Sequence, residues 1–158
     1  MPRPIIPRSI AAPPSRYAHG VVHSARARRL VIAGQVGMRI DGTIPDDLVE
    51  QMEIAWDNLT AVLAEAGMNI SDLIKINVFV TVPGSVGLYR TIRDRRLGRH
   101  LCAATYLEVA GLVAPNILFE IDGEAVCEEP DAAFLEMPQS DEAFTLPHLD
   151  PARSRAKP

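Results

Sequence analysis

The chain predicts an α+β domain: a sheet that carries helices on one face and a mixed polar surface on the other. Two strand-like runs and two helical runs predict it. Over Leu73 to Val82, Ile74, Ile76, Val78, Val80 and Val82 share one face, against Lys75, Asn77, Phe79 and Thr81. Over Asn116 to Val126, Ile117, Phe119, Ile121 and Ala125 point one way and Glu120, Asp122 and Glu124 the other. That period of two is the signature of strands with unlike faces. Helical spacing of apolar residues appears before and after the first of these runs.

Taken in order, residues 1–15 are rich in proline (Pro2, Pro4, Pro7, Pro13, Pro14) and read as an extended arm. Tyr17 to Val22 and Arg29 to Ala33 are short strand candidates separated by a polar break. Gly34, Gly37, Asp41 and Gly42 follow as turn punctuation. They lack the spacing of a phosphate-cradling loop. A helix is expected from about Asp46 to Ala66. Pro45, Asp46 and Asp47 suit its start, and Gly67 its stop. Leu48, Met52, Ala55, Trp56, Leu59 and Leu63 form its apolar stripe. Trp56 on that stripe reads as core rather than as a ligand platform.

Pro83 and Gly84 turn the chain into a second helix, Val86 to Leu97. Its arginines (Arg90, Arg93, Arg95, Arg96, with Arg99 beyond) offer two readings, a contact for RNA or an anionic ligand or a solvated face partly offset by Asp94; their spread around the helix favours the second. Strands follow at Ala103 to Val109 and Asn116 to Cys127. Residues 16–127 therefore make up the domain. Residues 128–158, with scattered prolines, many acids and a basic end, read as an irregular extension.

Composition narrows the function. A hydrophobic content of 47% supports a packed core, and a formal charge of −4 offers no electrostatic footprint for nucleic acid. No apolar run reaches the ~20 residues a bilayer span requires, and the proline-rich start lacks a signal-peptide core. The expectation is a cytoplasmic protein with no membrane or nucleic-acid partner. Cys102 and Cys127 stand far apart, in no metal or redox spacing, and read as reduced core thiols. His19 and His23 lie four apart with no acidic or thiolate residue close in sequence, so no metal site is expected. His100 and His148 carry no signal.

Several segments together resemble the RidA/YjgF (Rid) family. They are Arg29-Leu-Val-Ile-Ala-Gly-Gln-Val-Gly37, Trp56-Asp-Asn-Leu59, Asp72-Leu-Ile-Lys-Ile-Asn-Val-Phe-Val80, and Leu107-Glu-Val-Ala110 followed by Phe119-Glu-Ile-Asp122. The likeness runs from about Tyr17 to Val126 and lies in the order and spacing of the segments. It implies a chorismate-mutase-like (YjgF-like) mixed sheet with two helices on one face, closing into a barrel-centred homotrimer. Small metabolites would bind in clefts between subunits. It also implies an imine or enamine deaminase-like hydrolase that needs no cofactor.

The resemblance assigns site residues one by one. Glu120 falls on the glutamate that positions water. Tyr17 matches a pocket tyrosine, expected across the subunit boundary, and Gly34 a pocket glycine. Ala104, Thr105 and Tyr106 fall on the substrate-binding strand. There the chain departs from the family, because Ala104 stands where an arginine grips the substrate carboxylate and Ala33 where a serine is common. The expectation is a pocket suited to a neutral ligand, with simple imino acids poorly turned over. Arg16 and Arg39 are the loop residues that could return a charge.

For Glu120 two readings stand: a water-orienting base, or an interface carboxylate that is paired with Lys75 or solvated inside the barrel. The function classes are a Rid-like hydrolase, a non-catalytic metabolite-binding trimer or pathway-specific member with another reaction, and a ribonuclease or translation inhibitor. Acidic balance and the lack of interleaved basic and aromatic residues count against the last.

Overall fold

A computed structural model describes residues 2–127; the extension expected over 128–158 lies outside the described residues. Its strands are β1 (Arg3–Ile5), β2 (Gly20–Val22), β3 (Arg28–Val36), β4 (Leu73–Val80), β5 (Ala103–Glu108) and β6 (Phe119–Cys127). Its helices are α1 (Leu48–Glu65) and α2 (Val86–Leu97).

The main sheet runs β3-β6-β4-β5. β6 pairs antiparallel with both β3 and β4, whereas β4 and β5 are parallel. A parallel pair needs a long crossover, and α2 supplies it. The proline-rich arm is more regular than its composition suggests. Arg3, Pro4 and Ile5 pair antiparallel with Val22, Val21 and Gly20. A two-stranded ribbon offers each strand a free edge, where proline's missing N–H costs no ladder bond.

α1 begins where the sequence places it. The Asp47 side chain caps the helix by accepting from Glu50 N at 2.9 Å, a contact worth about 1 kcal/mol. It ends in a Schellman arrangement: Gly67 N donates to Ala64 O and Met68 N to Leu63 O, with Gly67 at φ +64°. The stripe Met52, Ala55, Trp56, Leu59 and Leu63 is fully buried. It packs with Ile76, Val78, Val80, Phe119 and Ile121 in one core, so Trp56 is a core residue.

Gln51, at the edge of that core, is also fully buried. Its Nε2 donates to Pro45 O (2.7 Å) and Asn116 O (2.8 Å), and its Oε1 accepts from Leu118 N (2.8 Å). One amide thus ties the loop before α1 to the residues that lead into β6. Gly37 lies against this residue; a Cβ there would come within 2.6 Å of Gln51 Cβ.

Two sequence expectations are corrected. Gly34 does not end β3. A register shift between Ile32 and Gln35 absorbs it, and the strand continues to Val36. The arginines of α2 are not simply solvated. Arg96 donates to Glu53 and Asp57 of α1, Arg95 donates to Glu53, and Arg93 is 3% exposed. Cys102 is a buried thiol, and Cys127 accepts a hydrogen bond from Arg28 Nη2 at 3.3 Å. No described helix is long and apolar enough to cross a membrane.

Candidate functional site

The sheet face away from the helices carries the row Glu120, Asp122 and Glu124 on β6. Each meets a different neighbour. Arg29 on β3 donates Nη2 and Nε to Glu124 Oε2 (2.7 and 3.2 Å). Asn77 on β4 donates Nδ2 to Asp122 Oδ1 at 2.7 Å. The Glu120 side chain makes no hydrogen bond or ion pair among the described residues, although Lys75 lies on the same face, opposite Glu124. Within one chain, a Glu120–Lys75 pair is not formed.

Gly34 explains where the Glu120 carboxylate rests. A Cβ built on Gly34 would fall onto Glu120 Oε1 and Cδ. The carboxylate therefore lies across bare backbone at the β3 irregularity, a position only glycine leaves open. An unpaired, half-buried carboxylate beside unencumbered backbone can hold a water and accept its proton. Gly34 also borders a hollow of about 380 Å³ shared with Gln35, Met38, Arg39 and Asn58. Asn58 on α1 fixes that loop, donating to Val36 O and Met38 O at 3.0 Å each.

The other predicted residues gather elsewhere. Tyr17, Ala104, Thr105 and Tyr106 line a hollow of about 210 Å³ between β5 and the start of α2. Ala18, 1% exposed, donates its N–H to Cys102 O at 2.9 Å and bridges Ala103. This pins Tyr17 beside β5 of its own chain, so no second subunit is needed to bring Tyr17 to Ala104. Ala104 and Tyr106 pack toward the helices. The Tyr106 hydroxyl lies 2.9 Å from Ser85 Oγ, which donates to Val82 O at 2.7 Å. A serine has one proton to give, so Tyr106 is the donor in this chain of bonds. Burial pushes the Tyr106 phenol above its ordinary range, and the nearby Glu108 carboxylate adds to that shift.

Within one chain, then, the predicted residues form two groups. Gly34 and Glu120 lie on the open face; Tyr17, Ala104, Thr105 and Tyr106 lie at the β5 edge. β4 separates β5 from β6, and Ala104 and Glu120 turn to opposite sides of the sheet.

Neither loop arginine restores a charge at Ala104. Arg16 donates Nη2 to Gly98 O, and Arg39 donates to Glu50 and to Thr43 Oγ1. Sequence reasoning missed Tyr89 and counted Arg93 among the solvated arginines of α2; both line the same hollow as Ala104. A signal was available: Tyr89, Ile92, Arg93 and Leu97 share one helical stripe, which puts Arg93 on the apolar face of α2. No cluster of three or more metal-ligating side chains occurs among the described residues.

A family model, endoribonuclease L-PSP, matches residues 9–127. The RutC family protein YjgH of Escherichia coli (strain K12) is 38% identical over 84 residues, covering 50% of this chain and 64% of that protein. The match thus spans less than two thirds of that relative's length. Among solved structures, the conserved Rid-family protein YyfB from Yersinia pestis, itself of unknown function, superposes with a TM-score of 0.71 at 28% identity. That superposition covers 80% of this chain and 98% of the other. Protein YjgH superposes with a TM-score of 0.59 at 30% identity, over 72% and 85% of the two chains. By sequence and by fold, the chain belongs to the endoribonuclease L-PSP family, the RidA/YjgF group of Rid proteins.

Proposed function

We propose that the protein is a Rid-type hydrolase, acting on a small imine, enamine or related reactive metabolite. Glu120 positions the attacking water. The carrying observation is the contrast along β6: Glu124 and Asp122 are held by Arg29 and Asn77, whereas Glu120 is unpaired and lies over Gly34. An imine carbon is already electrophilic, so the protein's task is to hold the substrate, place the water and move protons.

The working unit in this reading is a homotrimer. Val31 is 66% and Leu107 46% exposed on the face that carries Glu120. That surface gains by being covered, and a neighbouring subunit would bring its own β5 hollow toward Glu120. Sedimentation of the full chain is expected to give three copies; a monomer would remove the inter-subunit cleft.

Initial rates with a panel of freshly generated imines, neutral and carboxylate-bearing, test the chemistry. Turnover by the wild type that is lost in Glu120→Ala is the expected result. Equal rates for the two proteins would refute the role of Glu120. No turnover of any imine would favour the second reading, a metabolite-binding trimer, for which the missing arginine at position 104 speaks. A ribonuclease reading gains nothing from Arg95 and Arg96 of α2, which are neutralised by Glu53 and Asp57.

A further inference from the structure

The hollow between α2 and β5 contains a charge that the strand does not supply. Arg93 reaches it from the buried stripe of α2. A buried guanidinium is costly unless its charge and its N–H groups are met. Asp94 meets them on one side only: Nε and Nη2 both donate to the same oxygen, Oδ1, at 3.0 and 2.8 Å. The Nη1 amine makes no hydrogen bond among the described residues. The guanidinium lies over the Tyr89 ring, 5.7 Å from its centre.

Tyr89 is the second unusual group. It is 1% exposed, yet its hydroxyl has no hydrogen-bond partner among the described residues. Burial pushes its ionisation well upward, so the hydroxyl stays a neutral donor. An orphaned buried hydroxyl costs stability unless an acceptor visits it. Arg90 adds a second positive charge at the exposed rim, and among the described residues no acidic one lines the hollow. Glu108, on the neighbouring strand end, accepts from Gly84 N at 2.7 Å. Ala104 completes the arrangement, because its short side chain leaves the space next to these donors open.

We propose that Arg93 and the Tyr89 hydroxyl form an anion site in this hollow, built to take the carboxylate of a small molecule. The fork of donors comes from helix α2 rather than from strand β5. A carboxylate suits it: planar, singly charged and small enough for about 210 Å³. The expectation of a neutral ligand, drawn from Ala104 alone, is thereby reversed. The site serves as the substrate's anchor only if the hydrolase reading holds, but its binding can be read without turnover.

The test is calorimetric titration of the full chain with propionate and with propionamide, its neutral isostere. The wild type should bind propionate at least about tenfold more tightly, as expected for a charge-assisted contact. Arg93→Gln should abolish the preference. Tyr89→Phe should weaken propionate severalfold without lowering the melting temperature, since it removes only an unpartnered hydroxyl. If Arg93→Gln does not fold, Ala104→Met, which fills the hollow and leaves the buried charge alone, must abolish propionate binding instead. No preference in the wild type, or a preference that survives both Tyr89→Phe and Ala104→Met, would overturn the site. Tighter binding of inorganic phosphate than of propionate would overturn the carboxylate assignment. Loss of the preference with imine hydrolysis intact would refute the anchor and spare the hydrolase; the reverse pattern would do the opposite.

Discussion

Replacing Gln51 by leucine should lower stability by about 3 kcal/mol. Gln51 is fully buried and its amide makes three hydrogen bonds, to Pro45 O, Asn116 O and Leu118 N. Leucine keeps nearly the same volume, so the cavity contribution is small. What disappears is three bonds of about 1 kcal/mol each, and the partners left behind are backbone groups that cannot leave the interior. Gly37 packs directly on this residue, which limits the space for a compensating shift or an inserted water. For a chain of this size, about 3 kcal/mol corresponds to a melting temperature lower by roughly 6–12 °C. Circular-dichroism melts at one fixed protein concentration would measure it, with urea titration as a second readout. Gln51→Glu should be at least as damaging, because a carboxylate oxygen would then face the carbonyls of Pro45 and Asn116. A leucine variant that melts within about 2 °C of the wild type would refute the reasoning. It would mean that the two loops are held by packing alone. Because the same amide fixes Leu118, two residues before Glu120, loosened positioning of that carboxylate should accompany the loss.

Three further outcomes are expected. Gly34→Ala places a methyl on the Glu120 carboxylate, which can swing aside at little cost to the fold. Imine turnover should fall by about a hundredfold for a displacement on the order of 1 Å, with the melting temperature nearly unchanged; full activity in steady-state assays would mean that the carboxylate does not work from this position. Arg96→Ala removes the contacts to Glu53 and Asp57 that join α2 to α1. A loss of about 1–2 kcal/mol in urea denaturation is expected, at the modest end because the side chain is partly exposed, and an unchanged midpoint would show that apolar packing alone joins the helices. Burial pushes the Cys102 thiol up to about 12. In the unfolded chain it ionises near about 8.5. Between those values the unfolded state holds fewer protons, so stability should fall as pH rises through that window. The native thiol should also resist iodoacetamide at about pH 8. Mass spectrometry that finds it alkylated as fast as an unfolded control would contradict its burial.

The fold was largely legible because its signals are local. The stripe from Met52 to Leu63 has a period only a helix satisfies, and the alternation in β4 and β6 one only a strand satisfies. The β3 irregularity was not legible. Gly34 inside a strand looks like a turn until the partner strand shows that the ladder resumes at Gln35. The short strand Arg3–Ile5 was hidden by its prolines, since only the pairing with Gly20–Val22 reveals an edge position that tolerates them.

At the site, the sequence by itself determined which residue types were available: a carboxylate at 120, a bare backbone at 34, tyrosines at 17 and 106, and no arginine at 104. Tertiary structure decided which of them act together. It left Glu120 unpaired while Arg29 and Asn77 took its neighbours, brought Tyr17 to Ala104 within one chain, and kept both away from Glu120. It also turned Arg93 and Tyr89 inward to the space that Ala104 leaves. Residue identity is written in the chain, but a charge acquires a role only through what lies within a few ångströms of it. Those neighbours come from strands and helices far apart in sequence.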